Sequence, residues 1–550
     1  MLKVYLLLFA IVMMNFLCEA QTKNVAASQP SGQPKLVIGL VVDQMRWDYL
    51  YRYQNRYGAG GFKRLLKEGF SYQNTNIPTV PTYTAVGHSG IYTGSVPAIT
   101  GIIGNNWFDK NTGSNMYCTQ DSTVEGVGAT GFAGRMSPAN MWTTTITDEL
   151  RLATNFKSKT FGISLKDRGA ILPAGHSANA AYWFDDRAGK MISSTYYMTT
   201  LPQWVTSFNE KDLAAMYMKK DWNTLYPLNT YTQSTADENK YEAGLPGLKG
   251  TSFPYQLSTV GVGKYATFKY TPYANTYSFD FAKSLMVSEQ LGVGNATDFL
   301  TISISGTDYT GHNFGPNAIE IEDLYLRLDA DISNFLTHLD GRYGKNNYLL
   351  FLSADHGAAH VPAFLKEHRI PAGTFDDLAL QGNINKRLSD EFGISRGVLN
   401  VQNYQVYLDE TSMLEQKKDL PAVYASVIRY LEAQPYITMA FPLRQAKTSA
   451  LPQPLLERFV NGYSAKRSGD IQFLLKPAYF DGGAVGTTHG LWNPYDAHIP
   501  LIFFGWKVKA GETFRETSMA DIAPTLAAKL RIQAPNGSVG IVLPEVANNN

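Results

Sequence analysis

Seven residues of the kinds that bind metal ions or attack phosphorus are scattered along this 550-residue chain, most of them at or just past the end of an apolar run. KLVIGLVVD ends in Asp43. FLTISISGTD ends in Asp308, with His312 just after it. YLLFLSAD ends in Asp355, with His356 beside it, and VGTTHG carries His489. The Thr-rich turn PTVPTYTAVGHSG contains a candidate nucleophile, Thr84. Three Asp, three His and a Thr can hold two metal ions and attack a phosphoryl group. No core-packing rule asks for such a set.

The spacing supports ligation. Asp308 and His312 lie four residues apart on one turn. Asp355 and His356 are adjacent in a loop and can reach one ion together, whereas in a regular strand they would point to opposite faces. Mixed imidazole and carboxylate donors favour zinc among the common metals. Two ions about 4 Å apart can clamp the attacking and leaving oxygens of an in-line displacement. A lone Asp after a strand is ordinarily a helix cap, and Asp43 alone would be read so. The two Asp/His pairs together argue against that reading. His88, His176, His338, His360, His368 and His498 are read as structural or surface groups. His360, close behind His356, is the one expected to support the ligands from outside.

Thr84 sits in a Gly- and Thr-rich stretch expected to open a helix, where backbone N–H groups point at an anion. Zinc ligation would lower the pKa of its hydroxyl. Thr79, Thr82 and Ser89 are rivals on sequence alone. In GIIGNNWFD, Asn105 can donate an amide N–H to a phosphoryl oxygen, with Asn106 as the alternative. In SLKDRGA, Lys166 and Arg168 flank Asp167 just after a strand. If that segment is extended, both cations point the same way and can meet one oxyanion. The rival reading is an exposed basic pair with an ion pair to Asp167.

These residues need a scaffold that brings distant segments to one place. Lys35–Val42, 159–165, the run before Ser305 and the run NYLLFLS read as buried strands of a parallel sheet. Helices are expected in GGFKRLLKEGF, over 143–156, from about 317 to 340 and over 518–530, and a closing strand over 499–505. Such alternation predicts a doubly wound, mostly parallel α/β sheet with helices on both faces. Ligands of these sheets bind beyond the carboxyl ends of the strands, where the candidate residues lie. Residues 177–290 are dense in Tyr, Thr, Asn and Pro and read as an insertion or cap apart from the core. A second mixed region spans about 362–480. Residues 35–545 are read as one catalytic domain carrying both insertions.

Bulk properties exclude some partners. The chain has 48 Lys and Arg against 47 Asp and Glu, a formal charge of +1, and 44% hydrophobic residues. That balance gives no sign of a nucleic-acid or membrane-surface partner. MLKVYLLLFAIVMMNFLCEA reads as a secretory signal peptide over residues 1–20, followed by a flexible polar leader over 21–34. No later stretch has the ~20 apolar residues of a membrane helix, so the mature protein is expected to be exported to the periplasm or beyond. Leu17 stands before Cys18 where a lipidation signal wants a small residue. Cys118 would be the one cysteine left after cleavage, and so unable to form an intrachain disulfide.

Taken together, Asp43, the Thr84 turn, GIIGN, TDYTGH, SADHG, THG and DIAPT resemble the alkaline phosphatase superfamily, and more narrowly its phosphodiesterase and nucleotide pyrophosphatase branch. VVDQMRWDYLYRY, PTYTAVGHSGIYTGSVPA and KDRGAILPAGHSANAA are similar to the phosphate-irrepressible periplasmic alkaline phosphatases of that branch. The resemblance runs over nearly the whole mature chain. It implies one zinc held by Asp308, His312 and His489, and another by Asp43, Asp355 and His356 with Thr84. It also implies attack by Thr84 to give a phosphothreonine that water then hydrolyses. Asn105, Lys166 and Arg168 would bind the non-bridging oxygens, and the spacing to Thr93-Gly94 selects Thr84 over its rivals. A monomer is implied as well.

A phosphate monoester carries nearly two negative charges where a diester carries one, and Lys166 with Arg168 favours the more charged group. The expected activity is therefore hydrolysis of a broad range of phosphate monoesters. Inorganic phosphate would be product and inhibitor, and the pH optimum alkaline. Diester or nucleotide hydrolysis is the alternative on the same site. A sulfatase would carry C/S-x-P-x-R around the nucleophile, and a phosphoglycerate mutase a Ser. A non-catalytic binding protein gripping a partner with the Tyr-rich insertion would not need six intact ligands and a nucleophile.

Overall fold

The computed structural model describes residues 32–129 and 131–548. The expected signal peptide, Cys18 and the leader as far as residue 31 lie outside them. A ten-stranded sheet forms the centre, in the order Gly511–Ser518, Phe70–Asn76, His498–Gly505, Tyr348–Ser353, Leu36–Val42, Asp298–Ile304, Thr160–Ser164, Ala180–Asp185, Lys190–Ser194 and Gly126–Val127. The five strands from Tyr348–Ser353 to Ala180–Asp185 run parallel. Antiparallel partners extend them on both sides, since His498–Gly505 and Lys190–Ser194 return against their neighbours. This is the α/β sheet expected, with an antiparallel rim that apolar runs cannot reveal.

The central strands form because their sequences suit burial on both faces. LVIGLVV, DFLTISI and YLLFLS are buried at every position. Gly39 interrupts the first run for a reason: a Cβ there would lie 2.2 Å from the Tyr92 hydroxyl and 2.8 Å from the Phe351 ring. The missing side chain lets the helix Thr84–Thr93 cross close over the strand. That helix packs with Asp167–Ala174 and Ile522–Leu530, while Ile319–Tyr343 packs with Tyr273–Ser288 and Phe62–Glu68. The expected helix over 143–156 is Ile146–Ala153, held by a reciprocal cap in which Thr145 accepts from the Asp148 N–H and Asp148 accepts from the Thr145 N–H.

Residues 177–290 do not stand apart from the core. Ala180–Asp185 and Lys190–Ser194 are strands of the main sheet, and Tyr182, Trp222, Phe268 and Phe281 join its core. AAYWFD is buried throughout; Tyr182 and Phe184 pack against Tyr273–Ser288, while Trp183 faces the other side of the sheet. The region 362–480 differs. Val398–Gln402, Gln405–Leu408, Ile471–Leu475 and Ile437–Pro442 make a separate four-stranded sheet. Ile384, Leu388, Val423, Val427 and Phe473 give it its own core.

Candidate active site

The carboxyl ends of the parallel strands bring the distant residues together. Asp43 follows Leu36–Val42, Lys166 follows Thr160–Ser164, and Asp355 follows Tyr348–Ser353. The strand expected to run on to Asp308 stops at Ile304; Asp308 lies in the first turn of the helix Gly306–Phe314 and His312 one turn later. That i,i+4 placement sets His312 Nε2 3.2 Å from Asp308 Oδ1. His489 Nε2 is 3.8 Å from the same oxygen. His356 Nε2 is 3.4 Å from Asp43 Oδ1 and 3.3 Å from Asp355 Oδ2.

All three imidazoles are oriented alike. Nδ1 of His312, His356 and His489 faces the backbone oxygen of Thr487, Gly357 and Thr82, at 2.8, 2.9 and 2.7 Å. A carbonyl only accepts, so Nδ1 carries a proton on each ring and each Nε2 is the nitrogen turned to the carboxylates. Asp43 Oδ1 and Asp355 Oδ2 are buried without a hydrogen-bond partner among the described residues. Imidazole nitrogens converging on unpartnered buried carboxylate oxygens suit a bound cation.

Two sets of donor atoms are close enough to hold an ion, Asp308 with His312 and His489, and Asp43 with Asp308 and His356. The first coincides with the set that the resemblance implies. In the second, Asp308 stands where Asp355 was expected. Lys166 explains this: its Nζ donates to Asp43 Oδ2 at 2.6 Å and Asp308 Oδ2 at 2.5 Å, drawing the two together. Asp355 Oδ1 meanwhile accepts from the backbone N–H of Gln44 and of His356.

The electrostatics follow from burying this charge. Burial raises the Asp43 pKa well above the carboxylate range, and Asp308 and Asp355 add to the rise. Burial pushes Asp308 the same way, but His312 and Lys166 outweigh it and hold that carboxyl low. For Lys166, burial disfavours the charge while Asp308 and Asp43 more than restore it, so its pKa is raised. Burial lowers the pKa of His356 and, more strongly, that of His489. Neutral imidazoles are the form that ligates a metal.

Thr84 is the first residue of its helix, after Tyr83 in extended conformation. Its Oγ1 lies 3.3 Å from His356 Nε2. The rival hydroxyls are turned away: Thr82 donates to the Leu491 carbonyl, Ser89 to that of Val86, and Thr79 to that of Val80. Asn105 Oδ1 accepts from the Ala85 N–H at 2.9 Å, which fixes its amide beside the Thr84 helix. Asn106 instead starts a hairpin strand, Asn106–Asp109.

Lys166 and Arg168 are near the site but not as an extended pair. A helix, Asp167–Ala174, starts at once and Lys166 is its N-cap. Nor does either cation pair with Asp167, which accepts from the Tyr117 and Thr119 hydroxyls. Arg168 donates to the Tyr117 hydroxyl at 3.0 Å, and its Nε is buried without a partner among the described residues. His360, expected to support the ligands, faces away, against Arg46 and Asn317. The supporting residues missed in the sequence are Gln44, Tyr117 and His88. Gln44 adopts φ 63°, and its side chain donates to Asp308 Oδ1 at 2.8 Å. Only His88 left a legible sign, four residues after Thr84 on the same helical face.

Comparison with known proteins finds relatives over nearly the whole chain. The type I phosphodiesterase / nucleotide pyrophosphatase family matches residues 37–492. A Myroides odoratus protein named calcium-transporting ATPase is 52% identical over 95% of this chain and 96% of its own. The alkaline phosphatase PhoV of Synechococcus elongatus is 49% identical over 96% of each. The crystal structure of the alkaline phosphatase PafA superimposes with a TM-score of 0.91 at 47% identity, covering 94% of this chain and all of that one.

Proposed function

We propose that this chain, which belongs to the type I phosphodiesterase / nucleotide pyrophosphatase family, is a zinc-dependent alkaline phosphatase that hydrolyses a broad range of phosphate monoesters through a phosphothreonine. One observation carries the reading. A hydroxyl at a helix N-terminus, Thr84, stands 3.3 Å from an imidazole nitrogen of a buried carboxylate–imidazole cluster, with Lys166 on the same cluster. The two relatives named alkaline phosphatase support it. This donor set around a helix-terminal threonine favours phosphoryl transfer over the transport in the name of the Myroides odoratus relative. Among the described residues no helix is long and apolar enough to cross a membrane.

Asp308, His312 and His489 would hold one zinc, and Asp43, Asp355 and His356 the other, with Asp308 close to both. Two zinc ions, when bound, would neutralise the buried carboxylates and lower the pKa of the Thr84 hydroxyl. Thr84 Oγ1 gives its proton to solvent and attacks phosphorus; the Oγ1–P bond forms and the ester P–O bond breaks, its electron pair leaving with the alcohol oxygen, which takes up a proton from solvent. In the second step water attacks the phosphothreonine, its oxygen bonding to phosphorus as the Oγ1–P bond breaks; Thr84 Oγ1 regains a proton from the attacking water and inorganic phosphate leaves. The Asn105 amide N–H and the Lys166 and Arg168 cations hold the non-bridging oxygens throughout. Inorganic phosphate presents the same oxygens and would inhibit. The two cations match the charge of a monoester better than that of a diester.

The same reading treats residues 35–545 as one catalytic domain, acting as a monomer exported behind the apolar leader. Turnover of matched aryl phosphate monoesters and diesters by zinc-loaded protein tests the substrate class. Acid quench during turnover, followed by mapping of phosphate to Thr84, tests the intermediate. A diester preference, or label on another residue, overturns the corresponding part.

A further inference from the structure

His88 is wholly buried one helical turn behind Thr84. Its imidazole joins three elements that converge on the metal-type cluster. Nδ1 lies 2.9 Å from the Thr84 carbonyl oxygen and 3.2 Å from Asp355 Oδ2. Nε2 lies 2.9 Å from Ser303 Oγ, on the strand that leads to Asp308. Both neighbours of Nδ1 are acceptors, so Nδ1 carries the proton. Its hydrogen bond goes to the Thr84 carbonyl, and the Asp355 oxygen lies alongside without a hydrogen bond of its own. The Ser303 hydroxyl can then donate to Nε2 and fix the ring from behind.

The helix approaches Asp355 this closely because residue 87 is glycine. A Cβ on Gly87 would meet the Asp355 carbonyl oxygen at 2.2 Å and its Cβ at 2.6 Å. One helical turn therefore presents Thr84 to His356, the Gly87 backbone to the Asp355 backbone, and His88 to the Asp355 carboxylate. An apolar side chain would fill the same volume but could not set the direction of that carboxylate.

We propose that His88 is a positioning residue for the metal centre: its Nδ1–H, hydrogen-bonded to the Thr84 carbonyl, lies 3.2 Å from Asp355 Oδ2 and sets the direction of that carboxylate by charge–dipole attraction, with Ser303 holding the ring. The inference rests on reading the cluster as a metal centre. Outer partners that orient metal-binding carboxylates are worth about 10–100-fold in metal affinity or activity.

The test compares His88→Asn, His88→Gln and His88→Phe. The Asn amide reaches the position of Nδ1 and the Gln amide that of Nε2, while Phe reaches neither as a donor. Zinc affinity is measured by chelator competition, beside kcat, KM and the thermal midpoint of the metal-free protein. Expected is a loss of about 10–100-fold in zinc affinity for His88→Phe and His88→Gln, with most of it restored in His88→Asn. Equal zinc affinity in all three variants overturns the inference, as does an equal loss in all three. If His88→Phe does not fold, the contrast between Gln and Asn decides alone. A wild-type protein that binds no zinc would overturn the metal-centre reading itself, and this inference with it.

Discussion

Lys166 offers the sharpest view of how charge is balanced at the site. Its Nζ donates to Asp43 Oδ2 at 2.6 Å and to Asp308 Oδ2 at 2.5 Å, and all three side chains are buried. At an effective dielectric constant of about 20, each pair is worth roughly 6 kcal/mol of gross attraction. Desolvation offsets much of that, and breaking a buried pair by removing one partner typically costs about 3–5 kcal/mol. Lys166→Met keeps most of the volume and removes the charge. In metal-free protein two carboxylates are then left facing each other, so the variant should lose about 3–5 kcal/mol. The loss should grow with pH, because protonating Asp43 or Asp308 relieves the repulsion at low pH and not at high pH. Bound zinc would supply the missing positive charge, so the loaded variant should recover most of the difference. The assay is urea unfolding of wild type and variant, each metal-free and zinc-loaded, at mildly acidic and alkaline pH. A metal-free variant within about 1 kcal/mol of wild type at alkaline pH would refute the argument. So would a zinc-induced gain no larger than that of wild type.

Other perturbations reach different parts of the structure. Tyr117→Phe removes the acceptor that steers Arg168 and should lower kcat/KM for monoesters about tenfold, with diester turnover nearly unchanged, since a hydrogen bond to a charged group is worth about 1.5 kcal/mol or more; parallel kinetics on the two ester classes check this. Gly87→Ala forces a Cβ against the Asp355 backbone and should cost about 1–3 kcal/mol, seen as a lower thermal midpoint together with weaker zinc binding. Burial raises the Asp331 pKa to about 7, against a hydrogen bond from Thr276 that lowers it. Its contribution is fully present below the unfolded value of about 3.9 and is lost as pH rises through about 7. Asp331→Asn should therefore raise stability at alkaline pH by about 1–2 kcal/mol, allowing for partial exposure, and leave it unchanged in acid; thermal midpoints across pH measure it.

Much of the site was legible because the residues that close buried strands carry two signals at once. LVIGLVV and YLLFLS are apolar without alternation, which marks central parallel strands, and Asp43 and Asp355 stand where such strands place ligands. Thr84 was legible as the start of a helix but not as the hydroxyl that faces His356; only packing turns Thr82 and Ser89 to backbone carbonyls. Lys166 was expected beside Arg168 on an extended segment, but Asp167 opens a helix instead. Gln44 and Tyr117 act through contacts that span 264 and 51 residues, and no local pattern encodes them. Ala180–Asp185 escaped notice because its Tyr, Trp and Phe resemble the aromatic loops around it, although all six residues are buried. The direction of the rim strands depends on tertiary pairing, which apolar runs do not record.

The most direct test of the central claim is turnover of matched aryl phosphate monoester and diester by zinc-loaded protein lacking residues 1–20, with Thr84→Ala alongside. The account predicts a strong preference for the monoester, abolished in the variant while zinc binding by Asp308, His312 and His489 persists. A preference for the diester, or monoester turnover that survives Thr84→Ala undiminished, would contradict it.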